Sequence, residues 1–240
     1  MLHNLLIKNR HRAQPRALAQ DGDETTIYIY EPIVSDDLTA EFYGGVSAQS
    51  MVPQIRAIQG GTIHLRISSP GGDVFAAQAI VQAIRDTKAK VIAHIDGLAA
   101  SAATVIATAA DEVEMSDGGL YMIHNAWTFA IGNANDMMET AALLEKCDGI
   151  IASQYAKRTG KDTDAIKALM DAETWFTAEE AKEAGLIDSI AEGKKPSASW
   201  DLSAYANAPK AQEPEEKIIT QEHRDRQIQR LGMLARVPLG

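Results

Sequence analysis

The feature that most limits how this chain can fold is an alternation of element types from about Thr25 to Glu192. "TTIYIYEPI" is rich in β-branched and aromatic residues and predicts a strand. "GTIHLRISSPGGD" predicts a strand ending in a turn. "VFAAQAIVQAIRDT" follows at helical period, with Phe75, Ala79, Ile80 and Ile84 on one side. "AKVIAHIDGLAA" reads as a strand and loop, "SAATVIATAAD" as an alanine-rich helix, and "GLYMIHNAW" as a short apolar strand. "NDMMETAALLEKCDGIIASQYAKRTG" predicts a long helix closed by a basic turn and glycine. "DTDAIKALMD" predicts a helix with an Asp or Thr cap. "TAEEAKEAGLIDSI" predicts a helix opened by a capping box, a glycine stop and a last strand. Repeated strand–helix–strand units require mostly parallel strands, so the expected class is α/β.

The ends differ from this core. Residues 1–24 form an arm whose first 19 residues carry basic side chains and no acid. Its apolar run "LLI" is too short for a secretory signal, leaving a plain arm, a removable propeptide or a transit peptide. Residues 193–240 are polar and proline-containing, which reads as linker. A short amphipathic helix is expected there, with Ile218, Ile219, Ile228 and Leu231 on it. A 240-residue chain with 45% apolar residues suits one domain with such appended ends. Its net charge of −10 argues against general affinity for nucleic acid or an anionic membrane. No apolar run reaches the ~18 residues of a membrane span. The single cysteine, Cys147, excludes an internal disulfide and fits a reducing compartment such as the cytoplasm.

Three loops fall at strand ends, where α/β proteins tend to place their chemistry. In "SSPGGD", Pro70 fixes its own φ, and Gly71 and Gly72 permit values other residues avoid. Such a turn can aim backbone N–H groups at an anion, or be no more than a tight connection. It lacks the Lys-Ser/Thr of a phosphate loop. In "GLAASAAT", Ser101 opens a helix, where an N-cap role is the simple reading. The functional reading is that small neighbours leave room around Oγ and that the helix N-terminus favours charge on an attacked carbonyl. Serine needs a base for that, because its hydroxyl is a poor nucleophile unaided. His124 ends the strand of "YMIHNAW", and parallel strands bring it to the same edge as Ser101. His64 and His94 lie within strand-like runs and read as satisfied, half-buried side chains. Asp171 and Glu173, near the downstream turn, are candidates to orient an imidazole or are plain surface charges.

"ISSPGGDVFAAQAI", "GLAASAAT", "YMIHNAW" and "TWFTAEEAKEAGLID" resemble, in order and spacing, the Clp protease proteolytic subunit family. The variants of these motifs look most like the Clp-type head maturation (prohead) proteases of tailed phages and prophages. The resemblance covers about residues 25–190 and implies a crotonase-like fold of repeated ββα units with a protruding helical handle. It implies a serine endopeptidase domain over residues 25–192. By position it implies Ser101 as nucleophile and His124 as general base, with the N–H groups of Gly72 and Ala102 as the oxyanion hole. The third member falls at Glu173, where the family carries aspartate, and Asp171 is the alternative acid. No metal and no cofactor are implied.

The resemblance also implies a protein or peptide substrate and a homo-oligomeric ring, with the helix from about Asn135 to Thr159 as the contact of a stacked double ring. The ends do not resemble the axial loops of housekeeping members, which argues against an ATPase unfoldase partner. A self-acting processing protease, working on capsid or scaffold precursors in host cytoplasm or an assembling prohead, is the expected role. Two alternatives use the same fold: an acyl-CoA enzyme, which needs no Ser101–His124 pair, and a catalytically inactive ring-forming scaffold.

Overall fold

The computed structural model describes residue 7, residues 18–191 and residues 200–209. Met1–Ala208 forms one compact unit; Pro209–Gly240 is a second, and all but its first residue lie outside the described residues, including the expected amphipathic helix. The order of elements is β1 (Leu18–Asp21), β2 (Glu24–Ile29), β3 (Ile33–Val34), α1 (Asp37–Tyr43), β4 (Val46–Ser47), α2 (Ala48–Ala57), β5 (Thr62–Ser69) and α3 (Val74–Asp86). It continues with β6 (Lys90–Ala100), α4 (Ala102–Ala107), β7 (Glu112–Ser116), β8 (Leu120–Ile123) and α5 (Ala134–Thr159), then α6 (Thr163–Asp171), β9 (Thr174–Phe176), α7 (Ala178–Glu183) and β10 (Ser189–Ala191).

The main sheet runs β1-β2-β5-β6-β7-β10, with β8 pairing β6 and β9. All its pairs are parallel except β1 with β2 and β8 with β9. The alternation read from the sequence explains this. Ile63, Leu65 and Ile67 of β5, with Val91, Ala93 and Ile95 of β6, point to one face and are buried. There they meet Ile80, Val81 and Ile84 of α3, and burial of each such Ile or Leu contributes about 1.5–3 kcal/mol. Residues of the opposite face are half-buried and polar. His64 and His94 pair ring to ring at 2.9 Å, and His94 Nδ1 meets Glu114 at 2.9 Å. Arg66 and Tyr30 both donate to Asp96.

Two details position the site. First, β6 does not end at Gly97, as a strand-and-loop reading of "AKVIAHIDGLAA" expects. It pairs with β7 through Ile92–Ile95, shifts register, and pairs with β8 through Leu98–Ala100. Over the shift, Ile67 to Ser69 of β5 stand opposite Ile95 to Ala99. Second, residues 200–208, expected as linker, lie against the half-buried face beyond the histidines. Trp200, Leu202 and Tyr205 pack there with Leu98, Ala100, Met122 and Trp175.

The long helix α5 opens with a capping box of Asn133 and Asp136 and closes on Gly160 in the left-handed conformation. Only its second half is well anchored, through Cys147, Ile151, Ala152 and Tyr155. Met138, Leu143 and Ile150 are exposed, as are Phe129 and Ile131 just before it. Ile151, next to the exposed Ile150, belongs to the core. Among the described residues no helix is long and apolar enough to cross a membrane.

Candidate active site

Ser101 sits between β6 and α4 with φ 55° and ψ −124°. It occupies the N-cap position, yet its side chain makes no capping bond. The hydroxyl is turned elsewhere: Oγ lies 2.8 Å from Nε2 of His124. The surrounding backbone enforces this conformation. Ser101 N–H donates to Met122 O at 2.9 Å, and its own carbonyl accepts from Thr104 N–H at 2.9 Å and from Thr104 Oγ1 at 2.5 Å. Thr104 Oγ1 is in turn 2.5 Å from the buried Tyr155 hydroxyl. A non-glycine residue at such φ costs on the order of 1–3 kcal/mol and persists only when its surroundings over-determine it. Among the described residues two non-glycine residues have positive φ, Ser101 and Glu173 at 47°, and both are site candidates.

The small neighbours are needed. A Cβ on Gly71 would stand 2.9 Å from Ser101 Cβ, 3.0 Å from Ala102 N and 2.5 Å from Ala100 O. A Cβ on Gly72 would collide with Ile33 O at 2.0 Å, because Gly72 bridges to Ile33 of β3. The Pro-Gly-Gly turn is therefore pressed between β3 and the Ser101 turn, and α3 begins after it with Asp73 as cap.

His124 follows β8, and the next turn is tied to α5 by Ala126 N–H donating to Asp148 at 2.6 Å. Burial pushes the His124 imidazole down from 6.5 to about 4, with the Glu173 charge working in the opposite direction. The ring is therefore neutral near pH 7, and Nε2 is free to accept from Ser101 when the proton sits on Nδ1.

The two candidate acids part company. Asp171 accepts from Asn125 Nδ2 at 2.7 Å, which turns its carboxylate toward the loop after His124. The charge of Glu173 acts on His124, but its oxygens accept from Ala206 N–H at 3.0 Å, Asn207 N–H at 2.6 Å and Trp175 Nε1 at 3.2 Å. Sequence reasoning missed these partners and missed Tyr205. The Tyr205 ring stands edge-to-face on His124 at 5.4 Å, and its hydroxyl donates to Pro70 O. The signal was present as two aromatic residues, Trp200 and Tyr205, within an otherwise polar stretch.

A cleft of about 650 Å³ opens beside the pair, lined by Gly72, Phe75, Trp127, Leu143 and Leu144 as well as Ser101 and His124. Among the described residues no cluster of three or more His, Cys, Asp or Glu side chains is placed to hold a metal ion.

Residues 24–194 match the family model described as Clp protease. The chain belongs to the Clp protease family. This Clp-family chain is 36% identical over 135 residues to "ATP-dependent Clp protease proteolytic subunit 2" of Treponema denticola, across 55% of this chain and 68% of that protein. It is 34% identical over 133 residues to the "ATP-dependent Clp protease proteolytic subunit" of Bacteroides thetaiotaomicron, across 55% and 60%. Its fold is similar to that of a ClpP1 mutant from Listeria monocytogenes, with a TM-score of 0.58 and 26% identity, covering 70% of this chain and 92% of that one. The mixed, mostly parallel sheet with its crossing helices is thus the crotonase-like Clp protease fold.

Proposed function

We propose that this chain is a serine endopeptidase with Ser101 as nucleophile, His124 as general base and Glu173 as the acid that steadies the imidazole. One observation carries the reading. A strained, uncapped serine at a helix start holds its hydroxyl 2.8 Å from a half-buried, neutral imidazole. A serine serving only as a cap has no need of that strain. Membership of the Clp protease family supports the same reading.

The chemistry is acyl transfer. An extended peptide lies in the cleft with its carbonyl carbon beside Oγ. As the Oγ–C bond forms, His124 Nε2 takes the hydroxyl proton, and the carbonyl electron pair moves onto oxygen. The N–H groups of Gly72 and Ala102 receive that oxyanion, and losing one such donor typically costs about 10²–10³ in rate. The C–N bond then breaks as His124 returns the proton to the leaving amine. Water repeats the sequence and releases the acyl group. Glu173 favours the imidazolium that forms, because its negative charge acts on the His124 ring.

The apolar lining favours substrates with an apolar side chain next to the cleaved bond. The exposed apolar side chains of α5 support assembly of copies into rings, with α5 in a ring–ring contact. The variants of the motifs support a narrower assignment, to processing of phage capsid or scaffold precursors.

Incubation with a fluorophosphonate probe, followed by mapping of the labelled residue, tests the reading. Label is expected on Ser101 in the wild type and on no residue in Ser101→Ala. Absence of label on Ser101, with peptide hydrolysis intact, would give the nucleophile to another residue. Co-expression with the capsid and scaffold proteins of the same genome tests the narrower assignment, by whether they are shortened in a Ser101-dependent way.

A further inference from the structure

Residues 200–208 return to the site from beyond the last strand and touch each of its parts. Tyr205 is buried and donates to Pro70 O in the glycine turn. Its ring stands edge-to-face on both His124 and Trp175, at 5.4 and 5.8 Å. The next two residues point their N–H groups at the Glu173 carboxylate, at 3.0 and 2.6 Å. Asn207 Nδ2 donates to Ala172 O at 2.9 Å, and Trp200 Nε1 reaches Ser68 Oγ at 3.4 Å, so the segment is fastened at both ends.

A segment lying on a catalytic site either blocks it or builds it. A blocking segment would fill the cleft or pull the pair apart. Here none of residues 200–208 lines the cleft, and Ser101 and His124 remain 2.8 Å apart. What the segment covers is the acid and the outer face of the imidazole. Glutamate has one more rotatable bond than aspartate, so its carboxylate must be held to be useful. Two backbone N–H groups on a carboxylate are charge-assisted bonds, roughly twice as strong as neutral ones.

We infer that residues Trp200–Ala208 form a positioning strap: the Ala206 and Asn207 amides fix the Glu173 carboxylate, and the Tyr205 ring closes His124 off from water. The inference rests on the serine peptidase reading and deepens it. Ala206, Asn207 and Tyr205 act through Glu173 and His124 and do not meet the substrate. The burial that lowers the His124 pKa fits this, because an aromatic ring against the imidazole removes water that would stabilise its charged form.

The experiment combines a mutant cycle with a pH profile, using the full chain, peptide hydrolysis and fluorophosphonate labelling, with assembly checked by light scattering. Asn207→Pro removes the N–H donor, whereas Asn207→Ala keeps it. Asn207→Pro is expected to lower kcat about tenfold with KM little changed, and Asn207→Ala to lose less. In a Glu173→Gln background, Asn207→Pro is expected to cost under about twofold more, because both changes break one unit. Tyr205→Ala is expected to move the acid limb of kcat/KM up from near 4 toward 6.5, by more than about one pH unit, while Tyr205→Phe, which keeps the ring, moves it less. The strap is refuted if the Asn207→Pro and Glu173→Gln losses multiply, if Asn207→Ala loses as much as Asn207→Pro, if the acid limb stays put in Tyr205→Ala, or if the strap variants work faster than wild type. A wild-type protein that leaves Ser101 unlabelled refutes the peptidase reading instead, and this inference with it.

Discussion

Strain at Ser101 makes a measurable demand on stability. Ser101 has φ 55° and ψ −124°, a conformation open to glycine and costly for a residue with a Cβ. Ser101→Ala and Ser101→Gly both remove Oγ and its contact with His124, so that loss cancels between them. What remains is the Cβ. Alanine keeps a strain of about 1–3 kcal/mol, which glycine releases. Glycine loses about 0.5–1 kcal/mol through the greater freedom of its unfolded chain. The glycine variant should therefore be the more stable of the two, by about 1 kcal/mol. For a chain of this size that amounts to about 2–4 °C in melting temperature. The assay is thermal unfolding of both variants at one concentration, with equal assembly shown beforehand, since association shifts apparent stability. Neither variant should hydrolyse peptide. A glycine variant that melts at or below the alanine variant would refute the claim that the fold holds Ser101 under strain.

Four further outcomes are expected. Glu173→Gln should lower kcat by about 10²-fold, while Asp171→Asn, whose carboxylate faces Asn125, should cost under about tenfold; kinetics of both assembled variants decides, and the reverse order assigns the acid to Asp171. Activity should persist into acid, with a limb near pH 4 where His124 takes up its proton, and a limb near 6.5 would contradict the burial of the ring. The same group links to stability. The folded imidazole binds its proton less readily than the unfolded one, so stability is full above about 6.5 and falls as pH drops toward 4, by about 3 kcal/mol in all, readable by denaturant titration across that window. Finally, Met138→Glu with Ile150→Glu should weaken assembly through α5, and light scattering of the wild type should give a mass well above the 25.9 kDa of one chain.

What the sequence made legible was local. The run of β-branched residues in β5, the helical period of α3, the closing Gly160 of α5 and the capping box at Thr177 each declare themselves within one turn or one pleat. The approach of Ser101 to His124 was legible one step further, because parallel strands place their ends on one edge. Other parts depend on partners distant in sequence. β9 is three residues long and is a strand only because Tyr121–Ile123 of β8 lies beside it. β3 and β4 are two residues each and hold only as a pair. The choice between Asp171 and Glu173 turns on Asn125 and on residues 206–207, some 34 positions away from the acid. Tyr205 is one aromatic residue in a stretch whose composition reads as linker, and composition does not reveal that it docks beside His124.

The register shift in β6 has a consequence for how the molecule opens. Its first half belongs to the long parallel sheet, between β5 and β7. Its second half pairs with β8 and, through it, with β9. β5 runs beside both halves, with Ile67 opposite Ile95 and Ser69 opposite Ala99, and amide exchange is expected to divide at the shift over Asp96–Leu98. Amides from Val91 to Ile95 should exchange together with β5 and β7, and those from Leu98 to Ala100 with β8 and β9. The half that leads into Ser101 is then expected to exchange sooner than the long sheet behind it.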